Sequence, residues 1–369
     1  MKRKSVHTLL CLAAAASMLT ACSTADDTTA QQTPQATTVS FSGNASVEGA
    51  TEATTRGGFQ DAAVSSALGA YTWETGDIIK AAVYDKTNNS FIPSGSDYFW
   101  AATATPNQDP TSASVYWTKD LTGFDASSSN SYSQILFSIP DGTTAIPTYD
   151  QTNLLTVTYN CPADYTDAIA NSLDHLKKYS FIYAQQDNFT GVKPTADLQF
   201  NYVPALLRFA IANGNSSTVK IKSIKMECSS PFYPTKMSYG IDNYTYTWTG
   251  LDNTQSSISV TLGTATEVAS GTSIRLYAAM LPRIGFYSDV TFTFTITTED
   301  GNTYTSNKIS GAQLAADWKT TNVGTGTDTA TDLFREGKSY TFKLWLDNKK
   351  GLSFVSSSAI KGWGDDTDL

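Results

Sequence analysis

The chain has 369 residues and a formal net charge of −9, and 16% of its residues are charged, against about 25% in an average soluble protein. Outside its first four residues the chain has an acidic balance and no basic cluster, which argues against nucleic acid as a partner and against electrostatic docking on an anionic membrane. Its two histidines, His7 and His175, are too few for a multi-histidine metal site, and no cofactor is implied.

Thr, Ser and Asn stand where charges usually would. With 19 Tyr, 17 Phe and 7 Trp, and with 24 Gly and 12 Pro as punctuation, the composition predicts an all-β chain. The length suits about two domains.

Residues 1–21 read as a signal peptide. Lys2, Arg3 and Lys4 form a basic n-region, and Leu9 to Leu19 form an apolar run too short to span a bilayer. The segment ends in Leu19-Thr20-Ala21-Cys22, which resembles the lipobox of bacterial lipoproteins and makes Cys22 the lipidation site. Several acyl chains on one cysteine anchor a protein where a single chain does so only marginally. Loss of the signal removes three basic residues and no acidic ones, taking the charge from −9 to −12. Residues 23–38 are a Thr- and Gln-rich stretch with nothing to bury, a tether. A short strand-like segment, Val39-Ser40-Phe41, follows it. Beyond that strand lie small and polar residues, then Arg56, Gly57 and Gly58. A long basic side chain among small residues is accessible to an Arg-specific protease. A solvated linker arginine is the plainer alternative.

From Gly57 the pattern is strand-rich. The Gly76-Asp77 turn precedes an apolar run from Ile78 to Tyr84. Tyr98-Phe99-Trp100, Val115-Tyr116-Trp117, Ile135 to Ile139 and Leu154 to Tyr159 follow between turn signals, a spacing that predicts a sandwich or barrel. Residues 163–178 interrupt this. Tyr165, Ile169, Leu173 and Leu176 recur at helical spacing and predict a short amphipathic helix, with His175 as a solvated or capping residue.

Residues 186–197 are rich in turn formers and mark a boundary, giving domains over 57–197 and 198–369. The second series opens with Leu198-Gln199-Phe200 and continues through Ala205 to Ile211. Val219 to Met226 alternates, but its apolar parity shifts at Ser223, which predicts a bulge. Val290 to Thr297 has the clearest period of two, so its even-numbered residues should face a core and its threonines water. Tyr340 to Leu346 alternates as well.

Catalytic motifs are missing from the sequence. It has no Gly-rich phosphate loop and no GxSxG elbow, and a triad would have to use His175. The expectation is a protein that is not an enzyme; a pair of carboxylates about 5 to 10 Å apart in a cleft would revive a glycosidase. Cys161 and Cys228 are no disulfide framework. A bridge is permitted outside the cytoplasm, and two buried thiols are the plainer expectation.

Several features, taken in order, resemble the fimbrillin family of Bacteroidetes, the lipoprotein precursors of type V pili. They are the lipobox at Cys22, the strand TVSF, Thr54-Thr55-Arg56, the element Trp73-Glu74-Thr75-Gly76-Asp77-Ile78, Leu198 to Tyr202 followed by ALLRFAI, Tyr277 to Pro282, Glu336 to Tyr340, and Ile360-Lys361-Gly362-Trp363. After Arg56 the chain has Gly57-Gly58 where the family carries alanine. The resemblance implies two tandem transthyretin-like β-sandwich domains with Greek-key type strands. It implies a stalk or tip subunit of a surface pilus that mediates adhesion. Its maturation would be export to the outer membrane on a lipid (palmitate among the chains), cleavage between Arg56 and Gly57 by an Arg-specific protease, and loss of the 22–56 propeptide with its strand. Polymerisation with other pilus subunits would follow by donor-strand exchange. The candidate donor is the tail from Gly351 to Trp363, with Leu352, Phe354 and Ile360 as its apolar positions. An uncleaved surface lipoprotein that binds glycan is the alternative.

Overall fold

The computed structural model describes residues 37–44, 78–92, 100–103, 105–106, 114–121, 131–138, 145–149, 155–190, 201–242, 245–252, 254–283, 289–320 and 334–360. All lie in one compact unit, Ala36–Leu369. Its first strands are β1 (Thr37–Asn44), β2 (Ile78–Asp85), β3 (Ser90–Phe91), β4 (Trp100–Thr103), β5 (Thr105–Pro106), β6 (Ser114–Leu121), β7 (Ser131–Ser138) and β8 (Ala145–Tyr149). Next come β9 (Leu155–Asn160), β10 (Asp164–Ala168), β11 (Ile182–Thr190), β12 (Asn201–Tyr202), β13 (Ala205–Asn213), β14 (Val219–Cys228), β15 (Lys236–Asp242) and β16 (Thr245–Asp252). The series closes with β17 (Ser257–Val268), β18 (Ser273–Met280), β19 (Thr291–Thr298), β20 (Thr303–Thr305), β21 (Ile309–Ser310), β22 (Ser339–Asp347) and β23 (Gly351–Ile360). A 3₁₀ helix spans Asp174–Tyr179, and helix α1 spans Gly311–Thr320. The fold is all-β, as the composition predicts.

Five sheets result. Their strand orders are β1-β6-β5, β12-β11-β7-β2-β3 with β4 on β2, β16-β15-β9-β8, β10-β17-β14-β19-β20 with β21 on β19, and β18-β13-β22-β23. Three pairings cross the expected boundary at 197 and 198: β11 with β12, β9 with β15, and β10 with β17. β10 thus joins a sheet otherwise built from the later part of the chain, β9 sits in a sheet drawn equally from both parts, and β12 joins a sheet otherwise built from the earlier part.

The two sheets containing β19 and β22 face each other across an aromatic core. In β19 the side chains alternate as expected, with Phe292, Phe294 and Ile296 buried and the threonines between them half-buried. β22 presents Phe342, Leu344 and Leu346 inward and leaves Trp345 exposed. Phe209 of β13 stacks on Phe342 at 5.7 Å, and Phe294 lies 5.2 Å from Phe342. Such ring pairs add about 0.5–1.5 kcal/mol beyond their area burial. Every residue from Ala205 to Ile211 is buried, so β13 has no period of two. It is a central strand, antiparallel to β18 and parallel to β22, with both faces covered.

The expected bulge is present: β14 shifts register between Ile221 and Ser223 against both β17 and β19. Lys222 lies at the shift, and its Nζ donates to the carbonyls of Leu262 and Gly263 at 2.6 and 3.1 Å. The expected helix over 163–178 is only partly present. Residues Asp164–Ala168 form β10, parallel to β17, and only Asp174–Tyr179 is helical. Asp167 and Asn171 both have φ of 58°, and two left-handed residues break a continuous right-handed helix. Tyr165, Leu173 and Leu176 are buried, whereas Ile169 is 61% exposed. Helix α1 has no counterpart in the sequence reading. It starts where the Ser310 hydroxyl accepts the Gln313 N–H at 3.1 Å, and it buries Leu314 and Ala315.

Candidate functional site

The feature that bears on function is a pair of sheet edges. β1 holds one edge of the sheet β1-β6-β5. Its register on β6 runs without a break from Thr37 opposite Leu121 to Asn44 opposite Ser114. On its other side, among the described residues, β6 meets only Thr105 and Pro106 of β5. β1 therefore supplies eight of the ten register pairs of β6. An antiparallel ribbon of two strands is marginal in water, so β6 depends on its long partner. The expected strand at Val39-Ser40-Phe41 is thus real, and it extends by several residues at each end. Cys22, Arg56 and Gly57 lie outside the described residues. In sequence Arg56 follows β1 and precedes β2, so a cut there separates β1 from every later strand.

The tail forms the second edge. β23 pairs antiparallel with β22, with Leu352 opposite Leu346, Phe354 opposite Leu344 and Ile360 opposite Ser339. The register shifts between Lys343 and Leu344, which leaves Val355 as the extra residue, 61% exposed. Leu352 is buried in the chain's own core, and the Phe354 ring stacks on Phe294 at 6.0 Å. The candidate donor positions therefore sit in this chain's own sheet, in an edge strand.

A cluster of buried polar groups fastens residues 159–181 to β18. The Tyr165 hydroxyl donates to the carbonyl of Ala279 at 2.6 Å and lies 3.1 Å from the Cys161 sulfur. Tyr159 donates its hydroxyl to the carbonyl of Tyr179. His175 Nε2 lies 2.9 Å from the Tyr277 carbonyl, and a carbonyl only accepts, so this nitrogen carries the proton. His175 Nδ1 is buried without a partner, and burial lowers the imidazole's proton affinity. This corrects the expectation of a solvated or capping histidine: the ring is turned toward β18, where it meets the Tyr277 carbonyl. Burial pushes the Cys161 thiol up to about 12, so it stays protonated and is no nucleophile. Cys161 and Cys228 are both free and buried.

The Glu336 carboxyl is raised to about 7 by burial, opposed by a hydrogen bond from the Tyr183 hydroxyl. Its Oε1 is buried without a partner. Sequence reasoning took Glu336 only as part of a motif; it sits in the turn Phe334–Gly337, whose end residues both have positive φ. Among the described residues no group of three or more His, Cys, Asp or Glu is placed to hold a metal ion. No described helix is long and apolar enough to cross a membrane.

Fold and edges together define an all-β sandwich protein whose first strand closes one sheet and whose last strand closes another. The chain matches no protein-family model and no curated protein sequence. Its structural neighbours are Bacteroidetes cell-adhesion and fimbrial proteins. It shares the fold of a candidate cell-adhesion protein from Bacteroides ovatus, at TM-score 0.51 and 10% identity, over 90% of this chain and 99% of that one. A candidate cell-adhesion protein from Bacteroides uniformis aligns at TM-score 0.44 and 15% identity over 79% and 93%. The tip fimbrial protein Mfa3 from Porphyromonas gingivalis, with C-terminal truncation, aligns at TM-score 0.40 and 11% identity over 86% and 99%.

Proposed function

We propose that this chain is a structural subunit, stalk or tip, of a cell-surface pilus, and that it enters the fibre by exchanging its first strand. The observation that carries this is the placement of β1: an edge strand, N-terminal to Arg56, that supplies eight of the ten register pairs of β6. Export as a lipoprotein modified at Cys22 brings the chain to the outer membrane. Cleavage after Arg56 by an Arg-specific protease then removes anchor, tether and β1 together. Unpaired N–H and C=O groups along β6 recruit a strand from a neighbouring subunit. The donor is the tail from Gly351, which must first leave its edge position on β22. An edge strand, bonded on one side, is the kind of element able to do so. The subunit's work is adhesion, and no catalysis is involved.

The test is treatment of the purified chain with an Arg-specific protease, followed by N-terminal sequencing and size analysis. The expected product begins at Gly57 and forms ladders or filaments. Resistance at Arg56 in the native fold overturns the reading and leaves an uncleaved surface lipoprotein.

A further inference from the structure

A groove of about 400 Å³ opens between three turns of the second half of the chain. One wall is the start of β14, from Ser217 to Lys220. The second is the β19–β20 hairpin, with Asp300, Asn302 and Tyr304. The third is the β22–β23 turn, with Asn348. Its volume falls in the range of small-molecule sites, about 300–1,000 Å³.

The groove is already organised in the free chain. Tyr304 donates its hydroxyl to Asn348 Oδ1 at 3.0 Å, which joins the second wall to the third. Asp300 accepts from the Thr298 hydroxyl at 2.5 Å and from Asn302 Nδ2 at 2.6 Å. Lys220 Nζ is held by Glu299 at 3.1 Å and by Glu267 at 3.6 Å. The loop that contributes Ser217 and Thr218 begins at Gly214, and the Trp345 ring packs against Gly214. A Cβ at Gly214 would stand 2.2 Å from the Trp345 ring nitrogen. Trp345 is 42% exposed, a rare outward large aromatic here.

The ligand class follows from these groups. The lining has one lysine against Glu299 and Asp300, and that lysine is already paired, which disfavours phosphate, sulfate and carboxylate ligands. The carboxylates do not converge as cation ligands do. What is offered is a mixed set of hydroxyl, amide and carboxylate groups that both donate and accept, with the Tyr304 ring in the lining and Trp345 at the start of the adjoining loop. Vicinal hydroxyls and a C–H face are the matching chemistry. We propose that this groove binds a neutral saccharide, with Asp300, Asn302 and Asn348 taking its hydroxyls and Trp345 stacking on a neighbouring ring. None of the described lining residues belongs to β1, and sugar binding is read without cleavage, so the proposal is tested separately from strand exchange.

The experiment is saturation-transfer NMR on the full chain with maltotriose, cellobiose, lactose, mannobiose and, as an anionic control, sialyllactose. The expected result is binding of at least one neutral sugar at about millimolar Kd, with quenching of Trp fluorescence. Ser217 is exposed, so Ser217→Tyr fills the groove without touching the core. It should weaken that sugar at least about tenfold with an unchanged melting temperature, and Trp345→Ala should abolish the quenching. Failure of every neutral sugar at tens of millimolar overturns the proposal. So does binding that Ser217→Tyr leaves unchanged, or a preference for sialyllactose over the neutral sugars.

Discussion

A chain that begins at Gly57 lacks β1, and the consequence for β6 follows from the register. An antiparallel ladder supplies about one backbone hydrogen bond per residue of strand. Eight residues at a net of about 1 kcal/mol each set an upper bound of about 8 kcal/mol. Release of the β1 backbone returns part of this as entropy. The loss is large beside a typical domain stability of about 5–15 kcal/mol, and it falls on one strand. Amide hydrogen exchange reads it directly. Alternate amides of β6 that face β1 should lose protection at least about 100-fold, equivalent to about 3 kcal/mol. Amides of β13 and β19, held on both sides within their own sheets, should change by less than about tenfold. A synthetic peptide of residues Thr37–Asn44 should restore the protection of β6. Unaltered β6 exchange in the shortened chain would refute the reasoning, as would an equal loss spread over β13 and β19.

Two further perturbations test the buried turn before β22. Glu336 has a folded pKa of about 7 against an unfolded value near 4.5. Between these values the unfolded chain ionises first, so native stability falls as pH rises through that window and levels off above about 7, by up to about 3 kcal/mol. Glu336→Gln removes the loss, so urea unfolding at pH 5 and pH 8 should show a smaller difference for the variant than for the parent. Gly337 has φ of 64°, and a Cβ there would stand 3.0 Å from the Tyr202 carbonyl. Gly337→Ala should therefore lower stability by about 2 kcal/mol or more. Gly301→Ala, at φ of 84° with open space around it, should cost only the backbone strain of about 1 kcal/mol. Equal losses for the two, read as shifts in the unfolding midpoint, would show that the Tyr202 contact carries no weight.

Local pattern alone determined the strand content, the inward face of β19, the bulge at Ser223 and the short strand before Arg56. In β19 and β14 the burial of one face imposes a period of two on the sequence, and a shift in that period marks the extra residue. The sequence also placed Leu352 and Phe354 at the apolar positions of the tail. Tertiary structure decided the rest, because the physical cause lies far away in the chain. Residues 164–168 carry helical spacing, yet they become a strand because the edge of β17, about a hundred residues later, offers a ladder that an isolated turn of helix cannot match. β13 shows no alternation because it lies between β18 and β22 in the middle of its sheet and packed layers cover both of its faces, Phe294 of the facing sheet lying against Phe209 on one of them. His175 reads as a solvated or capping residue until β18 closes over it, and no local pattern marks Glu336 for burial beside Tyr183. That β6 is the partner of β1, and that Ser217, Asp300 and Asn348 share one groove, depends on which turns the sandwich brings to the same end. No periodicity within any one segment encodes that.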